Sequence, residues 1–332
     1  MKVLLYLEAE HYLRKSGIGR AIKHQARALS LVGQDYTTNP KDDYDLVHIN
    51  TYGLASWRLM QKARKEGKKI IMHGHSTEED FRNSFILSNL IAPWFRRYLC
   101  HFYKKADAII TPTPYSKSLI EGYGIKKPIF AISNGIDLEQ YGADPVKEEA
   151  FRKYFNIREG EKVVVGAGLF FIRKGLDDFV KVAEAMPDVR FIWFGDMSKV
   201  LIPAKVRRIV NGNHPDNLIF PGYIKGDVYE GAMTGADAFF FPSREETEGI
   251  VVLEALASRQ HILVRDIPVY LGWLSRKQVE MASDVPGFVQ ALKKILAGDS
   301  QKVDAGYKVA RSRRLEKIAV ELVETYQKVM EL

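Results

Sequence analysis

The 332 residues suit two domains of roughly 150 residues each, and a composition 46% hydrophobic and 27% charged excludes long disordered tracts. The single cysteine, Cys100, excludes an internal disulfide framework, fits a reducing cytoplasm, and sits among apolar neighbours as a buried thiol rather than a nucleophile. Net charge is +8, and residues 1–140 hold 21 Lys and Arg against 14 Asp and Glu, so this half is expected to meet something anionic: nucleic acid, phosphorylated substrate or membrane surface.

The chain opens on a short apolar run that reads as a first buried strand, being shorter than the roughly 7–15 residues of a signal-peptide core. Strands are expected at 3–7, 46–49, 69–72, 108–111 and 129–132, separated by helical patterns at 20–31, 54–65, 84–105 and 116–123. After a link near 135–160 the alternation restarts. Strands follow at 163–166, 190–194, 218–220, 238–241 and 261–264, with helices at 176–185, 204–210, 228–233, 251–258 and 285–297. Two such series predict two doubly wound α/β lobes that face each other, with a ligand at the carboxyl ends of the strands. No uncharged stretch reaches the ~20 residues needed to span a bilayer, so the protein is expected to be soluble or peripheral.

Gly17-Ile18-Gly19-Arg20, preceded by Lys15-Ser16, stands between the first strand and the first long helix. Its two glycines fit either a tight turn or a close backbone approach to phosphate at a helix N-terminus. His73-Gly74-His75-Ser76 ends another strand, which puts two histidines beside the expected cleft as either structural or site residues. From Phe81 to Lys105, large apolar residues alternate with Arg and Lys, and Trp94-Phe95-Arg96-Arg97 puts aromatic bulk beside cations. That is either a one-sided buried helix or, as its excess of apolar residues favours, an interfacial helix on anionic lipid.

In the second half, Gly168 opens a strand-to-helix turn that carries Arg173-Lys174-Gly175, which is either a solvated basic turn or a diphosphate site. The most informative segment runs from Pro242-Ser243 through Glu246 and Gly249-Ile250 to Glu254. Glu254 interrupts an apolar helix, so its carboxylate must be partnered or aimed into a polar cleft. Glu246 and Glu254 are eight apart, one in the loop and one a turn into the helix, so both can line one cleft.

This segment resembles the Glu-x7-Glu signature of retaining GT-B glycosyltransferases of family 4, including bacterial glycosyl-diacylglycerol synthases. Gly17-Ile18-Gly19-Arg20 is similar to the family's early glycine loop, Asn134-Gly135-Ile136-Asp137 to its Asn-Gly-Val-Asp element, and Arg173-Lys174-Gly175 to its basic turn. Leu169 stands where many members carry an arginine, a place that Arg173 is expected to fill. The resemblance implies an acceptor-binding domain over 1–140, a nucleotide-sugar-binding domain over 141–312, and a final helix over 313–332 that crosses back to the first. It implies His75, Glu246, Lys174 and Arg173 as catalytic residues. Gly17, Gly19, Asn134, Gly168, Gly249, Ile250 and Glu254 would bind the donor, and Trp94, Phe95, Arg96 and Arg97 the membrane or acceptor. No cofactor or metal is expected. The implied partners are UDP-glucose or UDP-galactose, a diacylglycerol or glycolipid acceptor and an anionic inner membrane face, with no nucleic acid. The alternatives are a transferase of cell-wall or capsular polysaccharide assembly, and a non-catalytic nucleotide-sugar-binding protein.

Overall fold

The computed structural model describes residues 1–13, 16–198, 201–212 and 214–332; Lys15, part of the early glycine segment, lies outside them. The chain forms two compact units, one of Met1–Phe81, Leu90–Ile136 and Arg313–Leu332, the other of Arg82–Asn89 and Asp137–Ser312.

The first unit is built from β1 (Val3–Tyr6), α1 (Glu10–Leu13), α2 (Gly17–Leu31), β2 (Tyr36–Thr37), β3 (Leu46–Ile49), α3 (Leu54–Lys65), β4 (Lys69–His73), α4 (Glu78–Phe81), α5 (Ser88–Tyr103), β5 (Ala108–Thr111), α6 (Pro114–Gly122) and β6 (Ile129–Ala131). Its six strands are all parallel, in the order β2-β1-β3-β4-β5-β6. A sheet covered on both faces needs strands apolar on both sides, which is why β3 and β5 are buried at every position. One face packs under Leu59 and Met60 of α3 and Leu99, Phe102 and Tyr103 of α5. The other packs under Ile22 and Leu29 of α2, and under Ile318, Leu322, Tyr326 and Val329 from the end of the chain.

The second unit continues with α7 (Pro145–Tyr154), β7 (Val163–Ala167), α8 (Leu176–Glu184), β8 (Arg190–Phe194), α9 (Ala204–Val210), β9 (Leu218–Gly222), α10 (Asp227–Gly235), β10 (Ala238–Phe241), α11 (Ile250–Ala257), β11 (Ile262–Arg265), β12 (Glu280–Ala282), α12 (Val285–Leu296) and α13 (Val303–Ser312). Its parallel sheet has the order β12-β11-β10-β7-β8-β9. Phe179 of α8 seals its core, with its ring centroid 5.0 Å from Trp193 and 5.4 Å from Phe240. The last helix, α14 (Leu315–Met330), belongs to the first unit and lies along α2. The backbone of Ile136 pairs with Arg313 and Leu315, so the stretch that leaves this unit is hydrogen-bonded to the one that re-enters it.

Two doubly wound parallel α/β sheets are as expected, but several elements differ in detail. The helix expected over 84–105 begins only at Ser88, because Asn83 and Leu87 adopt positive φ angles of 56° and 62°. Pro93 sits inside α5 and cannot donate to the Asn89 carbonyl; the Arg82 guanidinium donates to that oxygen instead, at 3.4 Å. The stretch read as a link near 135–160 contains α7, whose first turn is capped by Asp144 and opened by Pro145.

Candidate active site

In an open α/β sheet, ligands bind beyond the carboxyl ends of the strands where the strand order reverses. In the second unit that reversal lies between β7 and β10. Gly168 follows β7 directly, and Pro242 to Gly249 follow β10. The basic turn Ile172–Lys174 is joined to α8 by Gly175, whose φ of 76° is left-handed. A Cβ there would stand 2.3 Å from the Pro242 carbonyl oxygen, so only glycine lets the two loops touch. They are then laced together. The Arg244 amide donates to the Arg173 carbonyl at 2.7 Å, and the Arg173 guanidinium to the Glu245 carbonyl at 2.8 Å. The Arg173 Nε also donates to Ser84 Oγ at 3.1 Å. Arg244 reaches Asp177 at 2.8 Å and Asp178 at 2.5 Å in the first turn of α8, and Arg265 also pairs with Asp178.

This scaffold brings Glu246 against both predicted cations. Glu246 Oε1 accepts from Lys174 Nζ at 2.5 Å and from Ser243 Oγ at 2.6 Å, and lies 3.6 Å from Arg173. Burial is the largest single influence on this carboxyl and would raise its pKa. The charges of Lys174 and Arg173, with the Lys174 and Ser243 hydrogen bonds, overcome it and hold the pKa below the ordinary 4.5. Gly168 lies beside the same lysine: a Cβ on it would meet the Lys174 side chain at 3.5 Å. Gly249 caps α11 with φ 87° and ψ 68°, and Ile250 begins the helix. Glu254, fully buried on α11, accepts from the Tyr229 hydroxyl of α10 at 2.6 Å. The carboxylate that interrupted an apolar run is therefore partnered.

In the first unit, His75 follows β4 and is 8% exposed. Strand alternation puts Leu46, His48 and Asn50 on one face, with Ile71, His73 and His75 beside them, so that face turns polar toward its carboxyl end. His75 stacks on His73, with ring centroids 3.8 Å apart, and its Nε2 lies 2.7 Å from Asn50 Oδ1. Burial pushes the pKa of His48 and of His75 down to about 3, and that of His73 well below its ordinary value. Gly17 and Gly19 form the first turn of α2, capped by Ser16, whose Oγ accepts from the Gly19 amide at 3.3 Å. Asn134-Gly135 packs against α2 and α14: His24 of α2 is 2.9 Å from the Gly135 carbonyl, and a Cβ on Gly135 would stand 2.8 Å from Leu315 of α14.

Along α5, Phe95 stacks on Phe81 at 4.2 Å, while Trp94 is 67% exposed beneath the Arg97 guanidinium. Arg96 forms an ion pair with buried Glu78 at 3.1 Å. Leu90, Ile91 and Tyr98 are exposed beside Trp94. A cavity of about 500 Å³ is lined by Arg96, Arg97, His101, Lys104 and Tyr123, together with half-buried Cys100, whose thiol pKa is raised by burial. Among the described residues no helix is long and apolar enough to cross a membrane, and no three His, Cys, Asp or Glu cluster to hold a metal. Gln25, His48, Asn50, Tyr326, Tyr229 and Arg244 were not found from the sequence. The Asp-Asp pair in the first turn of α8 was a signal for Arg244's partners; scattered polar residues in buried strands gave none for the histidine cluster.

Two parallel doubly wound units, one carrying a basic turn locked to a carboxylate at its switch point, make up the GT-B architecture. Residues 10–140 match the model of Glycosyltransferase Family 4 and residues 147–310 that of Glycosyl transferases group 1. The chain belongs to the family 4 glycosyltransferases. It is 49% identical over 335 residues, covering 100% of this chain and 99% of the relative, to the processive diacylglycerol alpha-glucosyltransferase of Acholeplasma laidlawii. It is 26% identical to the alpha-galactosylglucosyldiacylglycerol synthase of Streptococcus pneumoniae, over 80% of this chain and 72% of that one. The same fold occurs in the sucrose-phosphate synthase of Thermosynechococcus elongatus, with TM-score 0.81, 16% identity, and 100% of this chain and 99% of that one covered. It occurs also in Anabaena Alr3699/HepE in complex with UDP and glucose, with TM-score 0.76, 16% identity, and 99% and 100% covered.

Proposed function

We propose that the protein transfers glucose from UDP-glucose to diacylglycerol or its monoglucosyl form, with retention of anomeric configuration. The observation that carries this reading is the cluster of Lys174, Arg173 and Glu246 at the β7/β10 switch point, in a chain 49% identical to a named diacylglycerol alpha-glucosyltransferase. In this reading Lys174 and Arg173 stabilise the charge that develops on the leaving diphosphate, a role fixed cations fill without reorganising. The Glu246 carboxylate takes hydroxyls of the hexose and is held in place by the cations beside it. Glu254 takes the ribose hydroxyls, the backbone at Gly249-Ile250 the sugar and phosphate, and His75 the transferred sugar. UDP-glucose is an α-glycoside, so an α-linked product requires attack from the face the diphosphate leaves. In this reading no metal is required, because Lys174 and Arg173 would face the phosphates; chelator should leave turnover unchanged.

The acceptor is a lipid, and α5 is the element that meets it. Leu90, Ile91, Trp94 and Tyr98 would bury in the headgroup region while Arg97, His101 and Lys104 face anionic phosphates. In this reading the enzyme works as a peripheral protein on the inner face of the cell membrane. The test incubates it with several UDP-sugars and with vesicles containing diacylglycerol, monoglucosyldiacylglycerol or a polyprenyl-linked sugar, and analyses the products by mass spectrometry. Glucosylated diacylglycerol is expected. UDP binding without transfer, or transfer to the polyprenyl acceptor alone, would contradict the reading.

A further inference from the structure

The buried polar cluster beyond β3 and β4 has a direction, and that direction fixes the protonation of His75. Gln25 of α2 and Asn50 form a reciprocal amide pair, with Nε2 to Oδ1 at 2.9 Å and Nδ2 to Oε1 at 3.1 Å. Either amide could be turned over if only the pair mattered. The backbone decides: Asn50 Nδ2 also faces the His48 carbonyl at 3.4 Å, and a carbonyl only accepts. Asn50 Oδ1 is thereby the atom turned toward His75, and Gln25 Nε2 the atom turned toward His73.

Every further bond follows. Gln25 Nε2 is 3.1 Å from His73 Nδ1 and His48 Nε2 is 3.0 Å from it, so that unprotonated nitrogen is shared by both donors through its single lone pair. His48, donating through Nε2, must accept at Nδ1, and the Tyr326 hydroxyl of α14 donates to it at 2.9 Å. His73 then carries its proton on Nε2, which is buried without a partner. At the other end, an amide oxygen 2.7 Å from His75 Nε2 requires the proton of His75 to sit there. The remaining nitrogen, Nδ1, takes no hydrogen bond from the described residues.

The geometry points to Asn50, with Gln25 behind it, as a positioning residue that locks His75 in the Nε2–H tautomer and leaves Nδ1 bare to accept from a substrate hydroxyl. This rests on the reading that His75 contacts the transferred sugar. The groups around the ring are neutral: His73 from the end of β4 and His48 from β3, Gln25 and Asn50 as amides, and Tyr52, Tyr103 and Tyr326, which hydrogen-bond the surrounding segments. Burial keeps the imidazole uncharged, so Nδ1 stays an acceptor across the working pH range.

Two variants and one spectroscopic signature test it. Asn50→Leu fills the same space without an acceptor. Turnover should fall at least about tenfold while the KM for UDP-glucose changes less than about twofold. Long-range proton–nitrogen NMR of the His75 ring, assigned against His75→Gln, should show the proton on Nε2 in the wild type and redistributed in Asn50→Leu. Asn50→Asp keeps an oxygen toward His75 and adds a charge that favours imidazolium. Its proton should stay on Nε2, but the acid limb of the rate should move to higher pH than in the wild type, by the roughly 1–3 pH units that an adjacent opposite charge supplies. A His75 proton on Nδ1 in the wild type, an unchanged ring signal in Asn50→Leu, or coincident pH profiles for Asn50→Asp and wild type would overturn the proposal. Should Asn50→Leu fail to fold, the wild-type spectrum and Asn50→Asp decide. If His75→Gln itself keeps wild-type turnover, it is the placing of His75 at the sugar that fails, while the tautomer lock can still be read from the spectra.

Discussion

At the scale of single residues, the donor site is an arrangement of charge that predicts opposite effects for its two signs. Glu246→Ala should lower turnover at least about tenfold, or ~1.4 kcal/mol of transition-state stabilisation. UDP should bind as well or better, because the anion paired with Lys174 and Arg173 is gone. Near wild-type turnover at saturating donor would remove Glu246 from the site. Lys174→Ala should weaken both UDP and UDP-glucose by about tenfold or more, the worth of one hydrogen bond to a charged group. Calorimetry showing unchanged UDP affinity would end the assignment of this turn. Both carboxylates and the basic turn were legible in the sequence, since cations before a helix and an acid inside an apolar run are local anomalies. The clamp of Arg244 on Asp177 and Asp178 was not, because it joins a loop to a helix start 66 and 67 residues away.

At the scale of elements, the buried histidines of β3 and β4 make the first unit sensitive to acid. His48 and His75 titrate near 3 in the folded protein and near 6.5 when unfolded, so the unfolded chain binds more protons between those values. Stability is therefore full above about pH 6.5 and falls as pH drops toward 3. Each such histidine contributes a slope of about 1.4 kcal/mol per pH unit once well below 6.5. Melting temperature measured from pH 7.5 to 5 should fall steeply, and His48→Gln should flatten the slope; a flat wild-type curve would mean the ring carries a proton when folded. Helix α5 makes the second prediction. Arg97→Glu with Lys104→Glu should abolish preference for anionic over zwitterionic vesicles and leave UDP binding intact. Arg96 is the wrong choice for this test, because its charge compensates buried Glu78. Equal sedimentation of the wild type with both vesicle types would count against the surface.

Strands such as Leu46–Ile49 and Ala238–Phe241 were readable to the residue, because strands covered on both faces are continuous apolar runs. Short edge strands gave no such signal: Tyr36–Thr37 is two residues long, and Glu280 in β12 is held by Lys294 and Lys302. The Asp144-Pro145 cap of α7 was present in the sequence, but its charged surface pattern hid the helix that follows.

At the scale of the whole molecule, two doubly wound units divide the chemistry by charge and by exposure. The second holds the locked cations and carboxylates. The first holds an excess of positive charge, an exposed aromatic helix face and a neutral histidine whose tautomer is fixed. For α-glucosyl transfer from UDP-glucose to a diacylglycerol lipid, one product analysis tests donor, acceptor and stereochemistry together. The enzyme is incubated with UDP-glucose labelled with carbon-13 at the anomeric centre and with anionic vesicles carrying diacylglycerol, and the extracted lipid is examined by carbon NMR. The predicted result is a labelled glucosyl-diacylglycerol with an α-anomeric carbon. A β-linked lipid, or label confined to the water phase as free glucose or unreacted donor, would contradict it.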